Sequence, residues 1–290
     1  MRSSCTSGSI HDRRRVELDP NSQEEGNRVL QDGEAEKGSV TVVVREGNAV
    51  RRPIRRWSNS VQSLLQYLES AGFKGAPKVL CSDDEQFEWL SFIEGEVAKR
   101  PWPSVLLGPK GLKQIAEFLV QYHSVVRGFE PPSPTEWYVP GAVWRPGQVI
   151  RHGDLAPWNT VWTDDQLSGV IDWDFAEPGD PILDVAQAAL EFVPLRPSIW
   201  DRAGFSDRPE LGDRLRLLCE TYGESVDAVL SGVQKLQQQE IDRTETLGAS
   251  GIDPWQMYLN RGDLKEVRQE SRWLTANLKT FRSYPQPPHL

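Results

Sequence analysis

Cysteine is scarce in this chain of 290 residues: Cys5, Cys81 and Cys219 are odd in number and far apart. No disulfide framework and no metal-binding Cys spacing can be built from them, and they read as free thiols in a reducing, cytoplasmic compartment. Long apolar runs are missing too. None approaches the ~18 residues that a membrane span needs, so no membrane partner is expected. Met1-Arg2-Ser3-Ser4-Cys5 is not followed by the apolar stretch of a secretory signal. Positive charge is in deficit, with 33 Lys and Arg against 42 Asp and Glu and a net charge of −9. A nucleic-acid surface needs the opposite balance, so no nucleic-acid partner is expected either. The glycine pattern of a nucleotide fold is also absent. Gly33 to Ser39 superficially resembles a P-loop, but it lacks the lysine before Ser39, and Glu34 and Glu36 would repel phosphate.

What is present is enough to fold most of the chain: 38% hydrophobic and 26% charged residues. Residues 1–37 are polar, with Arg13-Arg14-Arg15 and Glu24-Glu25, and read as a disordered tail that cannot offset its own ordering entropy. Residues 38–95 form a first lobe. Val40 to Arg45 is a β-branched strand, Glu46-Gly47-Asn48 a turn, and Ala49 to Arg52 the returning strand, ended by Pro53. Val61, Leu64, Leu65 and Leu68 mark a helix capped at Ser58 or Asn59 and stopped by Gly72. Strands at Lys78 to Cys81 and Phe87 to Ile93 complete a small antiparallel sheet. Residues 96–290 are helix-rich, with stripes such as Leu112, Ile115, Leu119, Tyr122 and Val126. The pattern predicts an α+β architecture in two lobes, with no internal repeat.

One stretch carries chemistry. In Val149-Ile150-Arg151-His152-Gly153-Asp154-Leu155-Ala156-Pro157-Trp158-Asn159, Asp154 lies five residues before Asn159, and Asp172 follows Asn159 by thirteen at the end of an apolar run. The intervening strands can pair as a hairpin about Asp164-Asp165, which gathers the three side chains at one end. Carboxylate and amide oxygens of this kind suit Mg²⁺, a hard cation that shares its shell with phosphate and water. Aspartate, asparagine and aspartate in this order form the phosphoryl-transfer arrangement of kinases.

His152-Gly153-Asp154 and Asn159, with Ile171-Asp172 and Gly179-Asp180-Pro181 before Asp184, resemble the aminoglycoside phosphotransferase family of protein-kinase-like small-molecule kinases. The resemblance is close from Val149 to Ala189, weaker from Val40 to Gly95, and only architectural over the C-terminal helices. It implies a bilobal protein-kinase-like fold and transfer of the γ-phosphoryl group of ATP or GTP, with Mg²⁺, to a hydroxyl of a small molecule, an aminoglycoside or other amine-bearing compound. It implies that Asp154 orients the hydroxyl and accepts its proton, that Asn159 and Asp172 hold Mg²⁺, and that His152 and Asp184 support the catalytic loop. A base on the strand after the first hairpin would bind phosphate. Arg51 is favoured because it shares a face with Ala49, and Arg52 is the neighbouring candidate. The adenine would meet the backbone from Ser91 to Ile93. Asp174 and Glu177, just past the metal aspartate, are candidates to attract an amine on the substrate.

The chain departs from the family pattern in two places. The first helix has Val61, Gln62 and Ser63 where a glutamate partner for the strand base belongs, and the Gly-rich loop is absent. These departures motivate a rival of another class, a kinase-like, non-catalytic resistance or immunity protein that binds a toxic ligand. The intact metal residues argue against it. A protein kinase is disfavoured, because nothing like an Ala-Pro-Glu segment follows Asp172 and Asp184 comes only twelve positions after it, too close for a long activation loop. Trp158, Trp162 and Trp173 read as packing for the hairpin, and Gln237 to Glu240 as an exposed helix face. The acceptor's identity and the oligomeric state stay open.

Overall fold

The chain reverses at Gly47, whose φ of +62° a side chain would resist. The strands on either side pair antiparallel. The computed structural model describes residues 30–37 and 42–283. Its first sheet has five strands in the order β1-β2-β3-β5-β4. These are β1 (Ala35–Lys37), β2 (Val42–Glu46), β3 (Ala49–Pro53), β4 (Val79–Leu80) and β5 (Phe87–Ser91), with helix α1 (Ser58–Ser70) between β3 and β4. The apolar stripe of α1, Val61, Leu64, Leu65 and Leu68, is fully buried. The helix ends at a left-handed Gly72, where Phe73 N–H bonds the carbonyl of Leu68 at 2.9 Å.

β1 lies inside the segment whose composition predicts a disordered tail, and this corrects the reading for residues 30–37. Almost no apolar burial holds it. Its ladder to β2 sets Ala35 opposite Val44, Asp32 Oδ1 accepts Gly47 N–H at 2.7 Å, Arg45 Nη1 donates to the Leu30 carbonyl at 2.8 Å, and Lys99 Nζ meets Glu36 Oε1 at 2.6 Å. Hydrophobicity cannot register an edge strand held by polar bonds. Cys5, the arginine triplet, Glu24-Glu25 and the expected strand start at Ser39 to Thr41 lie outside the described residues.

The rest is largely helical. β6 (Glu96–Val97) leads to α2 (Ser104–Leu107) and α3 (Pro109–Val126). β7 (Val149–Arg151) pairs with β10 (Glu177–Gly179), and between them β8 (Thr160–Thr163) and β9 (Gln166–Val170) form the hairpin, joined to β6. Asp164 and Asp165, at φ of 49° and 59°, make its turn. Then come α4 (Ile182–Glu191), α5 (Trp200–Ala203), α6 (Leu211–Tyr222), α7 (Val226–Ala249), α8 (Trp255–Arg261) and α9 (Leu264–Arg282). α4 packs on α7 and α3 on α6. No helix among the described residues is long and apolar enough to cross a membrane.

One buried side chain ties the helical part together. Arg214 on α6 donates to four carbonyls: Leu106 and Leu107 at the end of α2, and Phe192 and Val193 just past α4, at 2.9, 2.8, 2.6 and 3.1 Å. Burial lowers its pKa to about 10, but the four acceptors keep the group in place. Arg214→Met would leave these carbonyls unpaired and is expected to cost ~3 kcal/mol in urea unfolding. A loss below ~1 kcal/mol would show that the carbonyls find other donors.

Candidate active site

A cleft of about 1020 Å³ runs between the five-stranded sheet and the helices. β7, fully buried, delivers the loop that follows it to the mouth of this cleft. Asp184, in the first turn of α4, braces that loop by accepting N–H of His152 at 3.0 Å and of Gly153 at 3.3 Å, and by facing His123 Nε2 at 3.2 Å. Burial alone would raise its pKa, but the hydrogen bond to His123 and the nearby Arg151 and His152 outweigh it and hold the carboxyl below its ordinary value. Asp180 Oδ1 caps the start of α4 at Ile182 N–H, 3.0 Å away.

His152 closes the loop on both sides. Its Nδ1 accepts Asp154 N–H at 3.2 Å, so its Nε2 carries the hydrogen that it donates to the Ile171 carbonyl at 3.1 Å. Burial lowers its pKa to about 4, so the ring is neutral. Gly153, at φ +80°, crosses the Phe175 carbonyl so closely that a Cβ would fall 2.1 Å from that oxygen.

Asp154 and Asn159 interlock: Asn159 Nδ2 donates to the Asp154 carbonyl at 2.8 Å and to Oδ2 at 2.9 Å. This leaves Asn159 Oδ1 without a protein donor among the described residues. Ile171 N–H bonds the Asn159 carbonyl at 2.9 Å and brings up Asp172, a non-glycine residue held at φ 59° and ψ 68°. Burial, and then the charge of Asp172, push the Asp154 pKa well above its ordinary value. Burial, and then Asp174, push Asp172 up to about 6, although Arg52 opposes this. Two acids whose pKa values are raised by burial and by crowding with like charge, with an amide oxygen beside them, are a donor set that Mg²⁺ would relieve.

The sheet contributes Arg52 and not Arg51, which corrects the favoured base. Val50 and Arg52 face the cleft. Arg51 points to the other face, paired with Glu46 at 2.7 Å and lying over Phe87. Arg52 is buried, with Nε 2.9 Å from Glu88 Oε1 and Nη1 2.9 Å from Asp174 Oδ1. Its burial disfavours the charge, but Asp174, Glu88 and Asp172 outweigh that and raise its pKa. Ser91 and Ile93 line the cleft with Leu90 and Phe92. The N–H groups of Ser91 and Phe92 are spent on the carbonyls of Lys78 and Asn48.

Asp174 and Glu177, read as substrate attractors, are buried and matched within the protein. Asp174 pairs with Arg52; Glu177 binds Arg151 and, at 2.9 Å, Arg243 of α7. The Gln237 to Glu240 run, read as an exposed face, instead brings Gln237, Gln239 and Glu240 to the cleft with Glu191. The signal was available, because Gln237 and Glu240 continue the apolar stripe of Val233 and Leu236 at helical spacing. Trp162 and Trp173 are buried, whereas Trp158 stays 38% exposed beneath the Arg100 guanidinium.

Gly153→Ala tests the crossing at Phe175. A left-handed backbone plus contact with a carbonyl that cannot give way is expected to destabilise the protein by ~2–3 kcal/mol in chemical unfolding. Asp180→Ala, which removes only a cap, is expected to cost ~1 kcal/mol. Equal losses for the two would argue against the crowding.

Residues 140–218 match the model of the phosphotransferase enzyme family. A trifolitoxin immunity protein of Rhizobium leguminosarum bv. trifolii is 35% identical over 196 residues, which is 65% of this chain and 72% of the relative. Two solved structures share the fold: the amicoumacin kinase hAmiN in complex with AMP-PNP, Ca²⁺ and Ami (TM-score 0.57, 13% identity, 86% of this chain and 88% of that one), and the GDP and kanamycin complex of APH(2")-IIia (TM-score 0.52, 14% identity, 86% and 95%). The chain has the bilobal protein-kinase-like fold and belongs to the phosphotransferase enzyme family.

Proposed function

We propose that the protein is a Mg²⁺-dependent phosphotransferase that moves the γ-phosphoryl group of ATP or GTP to a hydroxyl of an amine-bearing small molecule. The observation that carries this reading is the meeting of Asp154, Asn159 and Asp172 on the lining of one cleft, where Asn159 Nδ2 bonds Asp154 Oδ2 and burial, then the charge of Asp172, raises the Asp154 pKa. Asp154 would orient the acceptor hydroxyl. As the oxygen bonds phosphorus and the bond to the bridging oxygen of the nucleoside diphosphate breaks, Asp154 would take the proton. Its raised pKa suits that task. Asn159 Oδ1 and Asp172 would hold Mg²⁺, which supplies charge neutralisation on the phosphate oxygens. Asn159 Oδ1 and Asp172 would leave room in the shell of such an ion for the nucleotide phosphates.

Arg52 would contact the phosphates, and Val43, Val50, Pro77, Leu90 and the Ile93 amide would receive the base. The division into a nucleotide lobe up to residue 95 and an acceptor lobe beyond it is part of this proposal. On the acceptor side, Glu191 Oε2 is buried without a hydrogen-bond partner, and so are both amide atoms of Gln237. Burial raises the pKa of Glu240 beside them. Such a floor, with two unmatched acceptor oxygens and one unmatched amide donor among the described residues, favours a ligand with hydroxyl and ammonium groups, although Glu191 is also paired with Arg196.

A second reading, a kinase-like immunity protein that sequesters a toxin, draws on the name of the curated relative. Calorimetry with AMP-PNP separates the two, since the phosphotransferase binds it only with Mg²⁺ and loses it to a chelator. A toxin binder indifferent to nucleotide and Mg²⁺ would establish the second reading. Screening hydroxylated amines and antibiotics for stimulated nucleotide hydrolysis finds the acceptor. Asp154→Ala is then expected to lower turnover by about 10²–10⁴-fold, with AMP-PNP affinity kept. Full activity in that variant would overturn the assigned roles.

A further inference from the structure

The first helix offers Arg52 no acid, yet Arg52 is not left unpaired. The β3–β5 register sets it directly opposite Glu88. The two side chains are 5% and 2% exposed, with Nε 2.9 Å from Oε1. α1 reaches the same carboxylate twice: Ser58 Oγ donates to Oε1 at 2.9 Å, and Gln62 Nε2 donates to Oε2 at 2.8 Å. The two oxygens of Glu88 thus join one cation of the sheet to two donors of the helix. On its far side Arg52 is drawn toward Asp174, two residues past Asp172. Its Nε and Nη2 are both buried without a hydrogen-bond partner among the described residues, so Glu88 holds it by charge, and the side chain lines the cleft.

We infer that Glu88 is a positioning residue for phosphate binding: from the sheet it holds Arg52 so that Nη2 is presented to the nucleotide phosphates, and through Gln62 and Ser58 it couples that guanidinium to α1. The inference rests on the phosphotransferase reading. The physical need is plain. A buried guanidinium is drawn to every carboxylate within reach, and with Asp174 alone it would lean onto the loop that carries Asp172. Glu88 supplies the opposing pull. A guanidinium held between two carboxylates keeps its remaining N–H groups aimed, and its rigid fork matches a phosphate oxygen as an ammonium does not.

The test is calorimetry of the full chain with Mg²⁺·AMP-PNP and, separately, adenosine. Glu88→Gln is expected to weaken AMP-PNP about tenfold or more while adenosine stays within about twofold. The exchange Gln62→Glu with Glu88→Gln returns the acid from the helix side and is expected to restore AMP-PNP affinity to within about threefold of the original chain. Should Glu88→Gln fail to fold, Gln62→Ala carries the same comparison, because it keeps the ion pair and cuts only one helix bond. Its expected loss is about threefold, confined to the triphosphate. Unchanged AMP-PNP affinity, or an equal loss for adenosine, would overturn the inference and leave the phosphotransferase reading standing. An original chain that binds no AMP-PNP with Mg²⁺ sinks both.

Discussion

The loop between β7 and β8 has little regular structure of its own, and Asp184 gives it a shape. A carboxylate buried without exposure should give up its charge. This one keeps it because two backbone N–H groups of the loop and the ring of His123 all point at it. α3, α4 and the loop therefore meet on two oxygen atoms. Everything downstream follows from that fixed point: His152 is held by its backbone, its ring can then reach the Ile171 carbonyl, and Asp172 enters the cleft at a set distance from Asp154.

The price of the arrangement is crowding of like charge. Asp154 on one loop and Asp172 and Asp174 on the next crowd together, and from the sheet Arg52 answers Asp172 and Asp174. The left-handed backbone at Asp172 and the Gly153 crossing at Phe175 keep these groups together against their repulsion. In the proposed reading, a fold strained in this way would keep the site arranged for a cation before one arrives.

What the sequence made legible was local. Asp154, Asn159 and Asp172 sit on one loop and one hairpin, so spacing alone nearly fixes their geometry, and the Asp164-Asp165 turn follows from the same pattern. Ion pairs between distant segments were not legible. Asp174 and Glu177 looked unmatched because Arg52 and Arg243 lie far away in the chain. Arg51 was favoured over Arg52 by an assumed strand parity, and a shift of one residue exchanges the two faces of a strand. Glu88 could not be recognised before the register set it against Arg52. The C-terminal helices showed apolar stripes, yet not that the polar continuation of α7 turns into the cleft.

The short strand β1 also ties down the segment by which the chain leaves the first sheet. Its Glu36 grips Lys99, just past the point where the chain leaves the sheet, so the segment laces onto the connector. Both partners remain partly open to water, and dissolved ions weaken such a lace more than any contact in the interior. Added salt thus acts on the tie between this strand and the connector at Lys99, through a piece of chain that trimming at residue 38 would remove altogether.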